Sequence, residues 1–266
     1  MARRSIILAL LTVGAACAPP PLRLPSGSGA PLADASPMLA EATGTCDRIR
    51  SITAEMGLSG RVGRVKLRGR LQAGFAEPDA LRVEGIAPFG APVFVLAGRG
   101  GQATLWLPRD DRVLERADPA ALLDALAGLD VGPANLRRWL TGCPAEGFTP
   151  AGAKRFGADW VRVTAQDGGV VWLRHTDRWR LLEQVAGPLI VELTDYAAAG
   201  PSRVRFRHED GGDSPSLDVR LALDQVETNV TLGPEAFEVE VSPSAQPITI
   251  EELRESGPLR DAAGGR

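Results

Sequence analysis

Histidine is nearly absent from this chain: among 266 residues there are two, His175 and His208, each near the end of an alternating segment and beside arginines. No Cys-x-x-Cys pair and no carboxylate-histidine spacing accompanies them, so the pattern supplies neither a metal site nor a histidine base. Ser59 lies in Gly-Leu-Ser-Gly, which is not the strained elbow that aims a serine hydroxyl at a substrate. The paired acids Asp110-Asp111 and Glu251-Glu252 fall in a turn and a polar tail, where solvated charge is the simpler account. Basic excess is lacking too, and a formal net charge of -3 leaves no electrostatic footprint for nucleic acid. These absences argue against an enzyme, a cofactor-dependent protein and a nucleic-acid binder.

A long apolar run is also missing. Residues 6–13 are apolar but too few to span a bilayer, and they follow Arg3 and Arg4, the order of a secretory signal. The segment ends Gly14-Ala15-Ala16-Cys17, which resembles the lipobox of bacterial lipoproteins, with Gly14 in place of the usual leucine. Residues 1–16 then form a signal peptide and Cys17 becomes a lipidated N-terminus. Residues 18–31 are dense in proline, glycine and serine and are expected to be a disordered tether, with residues 17–34 as a whole set apart from the folded part. Of three cysteines, Cys46 and Cys143 remain. In an oxidising compartment such a pair favours a disulfide, although two buried thiols are the alternative.

What the chain does have is strand periodicity. From 65 to 75 the odd positions are Val65, Leu67, Gly69, Leu71, Ala73 and Phe75, and the even ones are Lys66, Arg68, Arg70, Gln72 and Gly74. A turn at Glu77-Pro78-Asp79 leads back through Leu81 and Val83. The loop Ala87-Pro88-Phe89-Gly90-Ala91 leads into Val93-Phe94-Val95-Leu96, and residues 104–107 form a further strand. Strands resume at 160–164, 170–174, 179–185, 189–196, 204–207 and 217–223. Helices are predicted over 37–56, from Asp118-Pro119 to Gly128, and over 133–140. Beyond Pro243 the chain is polar and is expected to be a mobile tail, 243–266, with a short helix near 250–255, which leaves 35–242 as the barrel domain.

About ten strands with one apolar face each cannot be covered by three helices. The sheet must either close on a filled interior or curl into a barrel with a cavity, and periodicity does not choose between them. At Pro88-Phe89-Gly90, Leu136-Arg137, Trp139 and Gly142-x-Pro144, with Lys66 and Arg70 in the early strand, the chain resembles the LolB branch of the lipoprotein-localisation family over about residues 36–230. Phe89 for leucine, the tail and the long tether depart from that pattern.

The resemblance implies an α+β, mainly β fold: a half-open antiparallel barrel with a helical lid over a hydrophobic cavity. It implies an outer-membrane lipoprotein facing the periplasm, anchored by its lipid, that receives acylated lipoproteins or a related lipid from a periplasmic carrier protein and delivers them to the membrane without a cofactor. Candidate cavity residues are Leu67, Leu71, Phe75, Val83, Phe94, Leu96, Trp106, Trp139 and Trp172. A bridge between Cys46 and Cys143 would tie the first helix to the end of the third. The matching leucine in LolB-type proteins projects and engages the membrane, which casts Phe89 in that role; the alternative is that Phe89 folds back to plug one end of the barrel. A closed barrel docked on an envelope complex is the rival for the whole chain.

Overall fold

The computed structural model describes residues 22–87, 89, 92–208 and 216–261. A short strand β1 (Ala30–Pro31) and helix α1 (Ser36–Thr43) lead through a 3₁₀ turn at Cys46–Arg48 into a first meander. It comprises β2 (Ser51–Val62), β3 (Val65–Ala76), β4 (Ala80–Gly85), β5 (Phe94–Arg99), β6 (Gln102–Leu107) and β7 (Arg112–Ala117). Helices α2 (Pro119–Ala127) and α3 (Pro133–Leu140) follow. A second meander holds β8 (Pro150–Phe156), β9 (Trp160–Ala165), β10 (Val170–His175), β11 (Trp179–Ala186), β12 (Leu189–Ala197), β13 (Gly200–His208) and β14 (Leu217–Thr228). The chain ends with β15 (Gln246–Pro247), α4 (Ile250–Ser256) and α5 (Pro258–Asp261).

Among the described residues fifteen strands form one sheet, in the order β1, β8 to β14, then β2 to β7, then β15. The two meanders are joined where β14 pairs with β2, so the centre of the sheet is made by β14, β2 and β3, each twelve residues long. The sheet curls around its apolar face and stays open, with β1 and β15 at its edges. Period-2 alternation explains the curl. Ile52, Ala54, Met56 and Leu58 on β2 face inward opposite Phe75, Ala73, Leu71 and Gly69 on β3, while the intervening residues face out.

Five stretches escape the periodicity. The helix predicted over 37–56 stops at Thr43, and 51–56 belong to β2, because Ile52, Ala54 and Met56 also fit a two-residue period that pairing on both flanks enforces. Strand β8 carries Pro150, Gly152 and Lys154 without alternation, and β7 breaks its register near Ala103 and Leu105 and holds Arg116 at a φ of 55°. The tether and tail are also more engaged than their composition implies. Ala30 and Pro31 pair with Arg155 and Lys154, and Leu32 N–H donates to Ala153 O. At the other end Ile248, Leu253 and Leu259 are buried in the core, so packing extends well past the predicted boundary at 242. Backbone pairing on an edge strand does not need side-chain alternation, and three apolar residues among polar ones are enough for a strap that supplies only anchor points.

Candidate functional site

The space under the lid is lined by apolar side chains alone. Met56, Leu58, Leu71, Phe75, Val83, Phe94, Leu96 and Leu221 face in from the sheet, and Leu123, Leu126, Ala127, Leu129, Leu136 and Leu140 close it from the α2–α3 side. Leu259 of α5 completes the wall. It lies over Gly69, where a methyl group would stand 3.6 Å from its Cδ2. The space left among these side chains is about 60 Å³. With no polar partner in its walls, the space offers a water no hydrogen bond.

The lid is held firmly at one end. Arg137 of α3 is buried, donates to Ile49 O, and pairs with Glu77 at 3.2 Å, so the helix is tied to the start of β2 and to the β3–β4 turn. Burial lowers the Arg137 pKa, and the Glu77 carboxylate opposes the shift. Trp139 Nε1–H donates to Gln184 Oε1 at 3.1 Å, and the same oxygen accepts the Ala145 N–H at 2.9 Å. A disulfide joins Cys143 to Cys46 across a separation of 97 residues.

The rest of the lid is held by lighter contacts. Helix α2 starts with the Asp118 side chain accepting the Ala121 N–H, and ends on Gly128 in the left-handed region, packed on Val62 and Leu217. Helix α4 opens with a Thr249–Glu252 capping box and leans on α2 through Arg254 to Asp124, 3.0 Å. Glu252 also meets Arg112 of β7 at 3.1 Å.

Of the predicted cavity residues, Leu71, Phe75, Val83, Phe94 and Leu96 line the space and four do not. Leu67 is in the same core but away from the gap. Trp106 occupies the opposite face of β6 from Leu105, which is the inward residue. Trp139 is spent on Gln184 and on Phe206, whose ring is 6.0 Å away. Trp172 is on the outer face, between Phe156 and Trp160, with the Arg162 guanidinium 6.0 Å from its ring. Period 2 predicts the outward faces of Trp106 and Trp172 once the inward registers of β6 and β10 are known. Beyond those five, the walls are made by Met56, Leu58 and Leu221 of the sheet, by the α2–α3 residues named above, and by Leu259, which belongs to a segment too polar to read as core.

Phe89 is 92% exposed, a large apolar side chain left in solvent on the β4–β5 loop. A ring so placed does not plug the barrel. Cys17 lies outside the described residues. Among the described residues no helix is long and apolar enough to cross a membrane, and no group of three or more His, Cys, Asp or Glu side chains is placed to hold a metal ion.

No protein-family model matches the sequence, and no curated protein matches it. Solved structures do. A LolA superfamily protein from Nitrosomonas europaea superposes with a TM-score of 0.50 at 13% identity, over 78% of this chain and 99% of that one. The fold is LolA-like. An outer-membrane lipoprotein-sorting protein domain from Vibrio parahaemolyticus gives a TM-score of 0.46 at 14% identity, over 77% and 97% of the two chains. What the chain shares with the Nitrosomonas europaea structure is the arrangement itself: an open antiparallel sheet curled around a core that short helices cover.

Proposed function

We propose that this LolA-like chain is a LolB-type carrier that takes the acyl chains of a lipoprotein, or a related lipid, into the space beneath its lid and releases them to a membrane, acting by binding and not by catalysis. The observation that carries this reading is the wholly apolar space closed partly by Leu259, a side chain from a short terminal helix. An acyl chain entering there would replace one apolar contact with another. Each buried methylene is worth about 0.8 kcal/mol, so the chain prefers such a site to water, and a bilayer that covers it more fully still wins it back. In this reading the mature protein begins at lipidated Cys17, faces the periplasm from the outer membrane, and meets its carrier there. Phe89 enters the bilayer interface.

One observation favours the rival reading, a closed barrel that docks on an envelope complex. The space of about 60 Å³ is far below the roughly 300–1,000 Å³ of ordinary ligand pockets. The test is native mass spectrometry of the gently purified protein, with delipidated protein re-exposed to a diacylated peptide. Bound acyl chains, and transfer to vesicles that Phe89→Glu abolishes without lowering the melting temperature, support the carrier. No retained or regained acyl chain supports the closed barrel.

A further inference from the structure

The β2–β3 hairpin forms an arm beyond the end of β4, with β14 still paired along its β2 side as far as Val62. Strand β3 pairs with β4 only from Leu71 onward, and Ile86 N–H closes that ladder on Arg70 O at 2.8 Å. Residues 65–69 therefore continue past the end of β4, a reach of about 16 Å at the usual strand rise. The inward side chains of the arm, Val65 and Leu67, join the core, and Leu259 lies over Gly69. The outward ones are Lys66, Arg68 and Arg70 on β3 and Arg61 on β2, with Arg64 in the turn, and all five are exposed.

Five basic residues fall within ten positions with no acid among them, in a chain whose formal net charge is -3. Two have acids at hand: Arg70 pairs with Glu55 at 3.4 Å in an exposed bridge, and Arg61 faces Asp218, which already serves Arg205 and Arg220. Arg64, Lys66 and Arg68 have no ion-pair partner among the described residues. The β4–β5 loop that carries Phe89 leaves the sheet beside Arg70, at the same end as the arm. A positive comb with no ion-pair partner for Arg64, Lys66 and Arg68 among the described residues, next to an exposed aromatic ring, is the arrangement that fits a surface with negative phosphates above and hydrocarbon below.

We propose that the outer face of the β2–β3 arm docks on anionic phospholipid headgroups and so presents the Phe89 loop and the lid to the bilayer. This rests on the reading of Phe89 as a membrane-facing residue. It adds the lipid class, since Phe89 alone does not discriminate headgroups while the arm does.

The experiment uses the full chain carrying Cys17→Ser, so that binding reports the folded surface and not an attached lipid. Cosedimentation is measured on phosphatidylcholine vesicles with and without phosphatidylglycerol, across a salt series. The expected result is tighter, salt-sensitive binding to the anionic vesicles, reduced by roughly fivefold per charge in Arg64→Gln/Lys66→Gln/Arg68→Gln, about a hundredfold for the three. A control with as many charges removed at the far end, Arg48→Gln/Arg99→Gln/Arg178→Gln, keeps the wild-type preference. Equal binding of wild type and the arm variant, or equal binding to both vesicles, overturns the proposal, and so does salt-sensitive capture of an acidic protein with no vesicle preference. Phe89→Glu separates the two readings: it lowers binding to both vesicle types and leaves the anionic preference. If acyl chains never bind but the preference persists, the carrier reading fails and the arm stands.

Discussion

Glu183 is only 3% exposed on the outer face of the sheet and stands directly opposite Glu192 on the next strand, a like-charge pair that would repel unless a cation came between. Arg207 does so, at 2.7 Å from Glu192 and 3.4 Å from Glu183. Arg205 continues the ladder from Glu192 to Asp218 with a two-pronged contact of 2.8 and 3.1 Å. The two ends of this ladder titrate in opposite senses. Hydrogen bonding to Arg205 lowers the Asp218 pKa below the ordinary 3.8, so its contribution is complete above that value and is lost as pH falls through the folded pKa. Burial raises the Glu183 pKa above 4.5, so what it contributes is complete below that value and is lost as pH rises through the folded pKa. At neutral pH Asp218→Asn should therefore cost more stability than Glu183→Gln, and it should flatten the acid limb of the wild-type curve. Urea melts at pH 7 and over pH 2–5 check both points; a Glu183→Gln cost larger than that of Asp218→Asn contradicts the ladder as described.

Helix α3 shows what a single element owes to its anchors. With only eight residues it is too short to persist by itself, and its positions Leu136, Trp139 and Leu140 supply core contact while Arg137 and the neighbouring Cys143 supply attachment. The disulfide closes a loop of 97 residues, for which the chain-entropy account gives about 4.7 kcal/mol of stabilisation, less any strain in the folded state. Cys46→Ser/Cys143→Ser should fall by that amount, and reductant should lower the denaturation midpoint of wild type but not of the double variant. Equal sensitivity of the two proteins to reductant would remove the bridge from the account. Elements of this kind were legible in the sequence: Leu136, Trp139 and Leu140 recur at helical spacing, and the alternating strands from 160 to 223 lie where their apolar faces place them. Strands β1, β7, β8 and β15 were not, because edge pairing is written in backbone hydrogen bonds and leaves no side-chain period.

At the scale of the whole molecule, the route of residues 229–261 decides whether the interior is open. After β14 the chain crosses the outer face of the sheet, where Phe237 is buried and Arg82 donates to the carbonyls of Ala236 and Glu238. It then adds β15 in parallel to β7 at the sheet edge and turns inward as α4 and α5, so the strap passes from the outside of the barrel to its interior. Leu253 is fully buried and Leu259 is 5% exposed, yet the elements that carry them are seven and four residues long. Short helices held by two ion pairs and two leucines open more readily than a twelve-residue strand paired on both sides. Losing α5 would uncover Gly69 of β3 and enlarge the interior, while every ladder pair of β14, β2 and β3 is made without α5. Hydrogen exchange should show residues 250–261 as the least protected part of the core in the free protein, and more exposed still when a diacylated peptide is bound, with β2 and β3 unchanged. A chain ending at 249 should melt earlier than wild type, having lost two buried leucines at roughly 2–5 kcal/mol each, and should take up the peptide more tightly, because no side chain has to leave first. If the shortened chain folds but binds no better, or if exchange in 250–261 does not respond to the peptide, the terminal helix is a permanent part of the core and the barrel is filled by design.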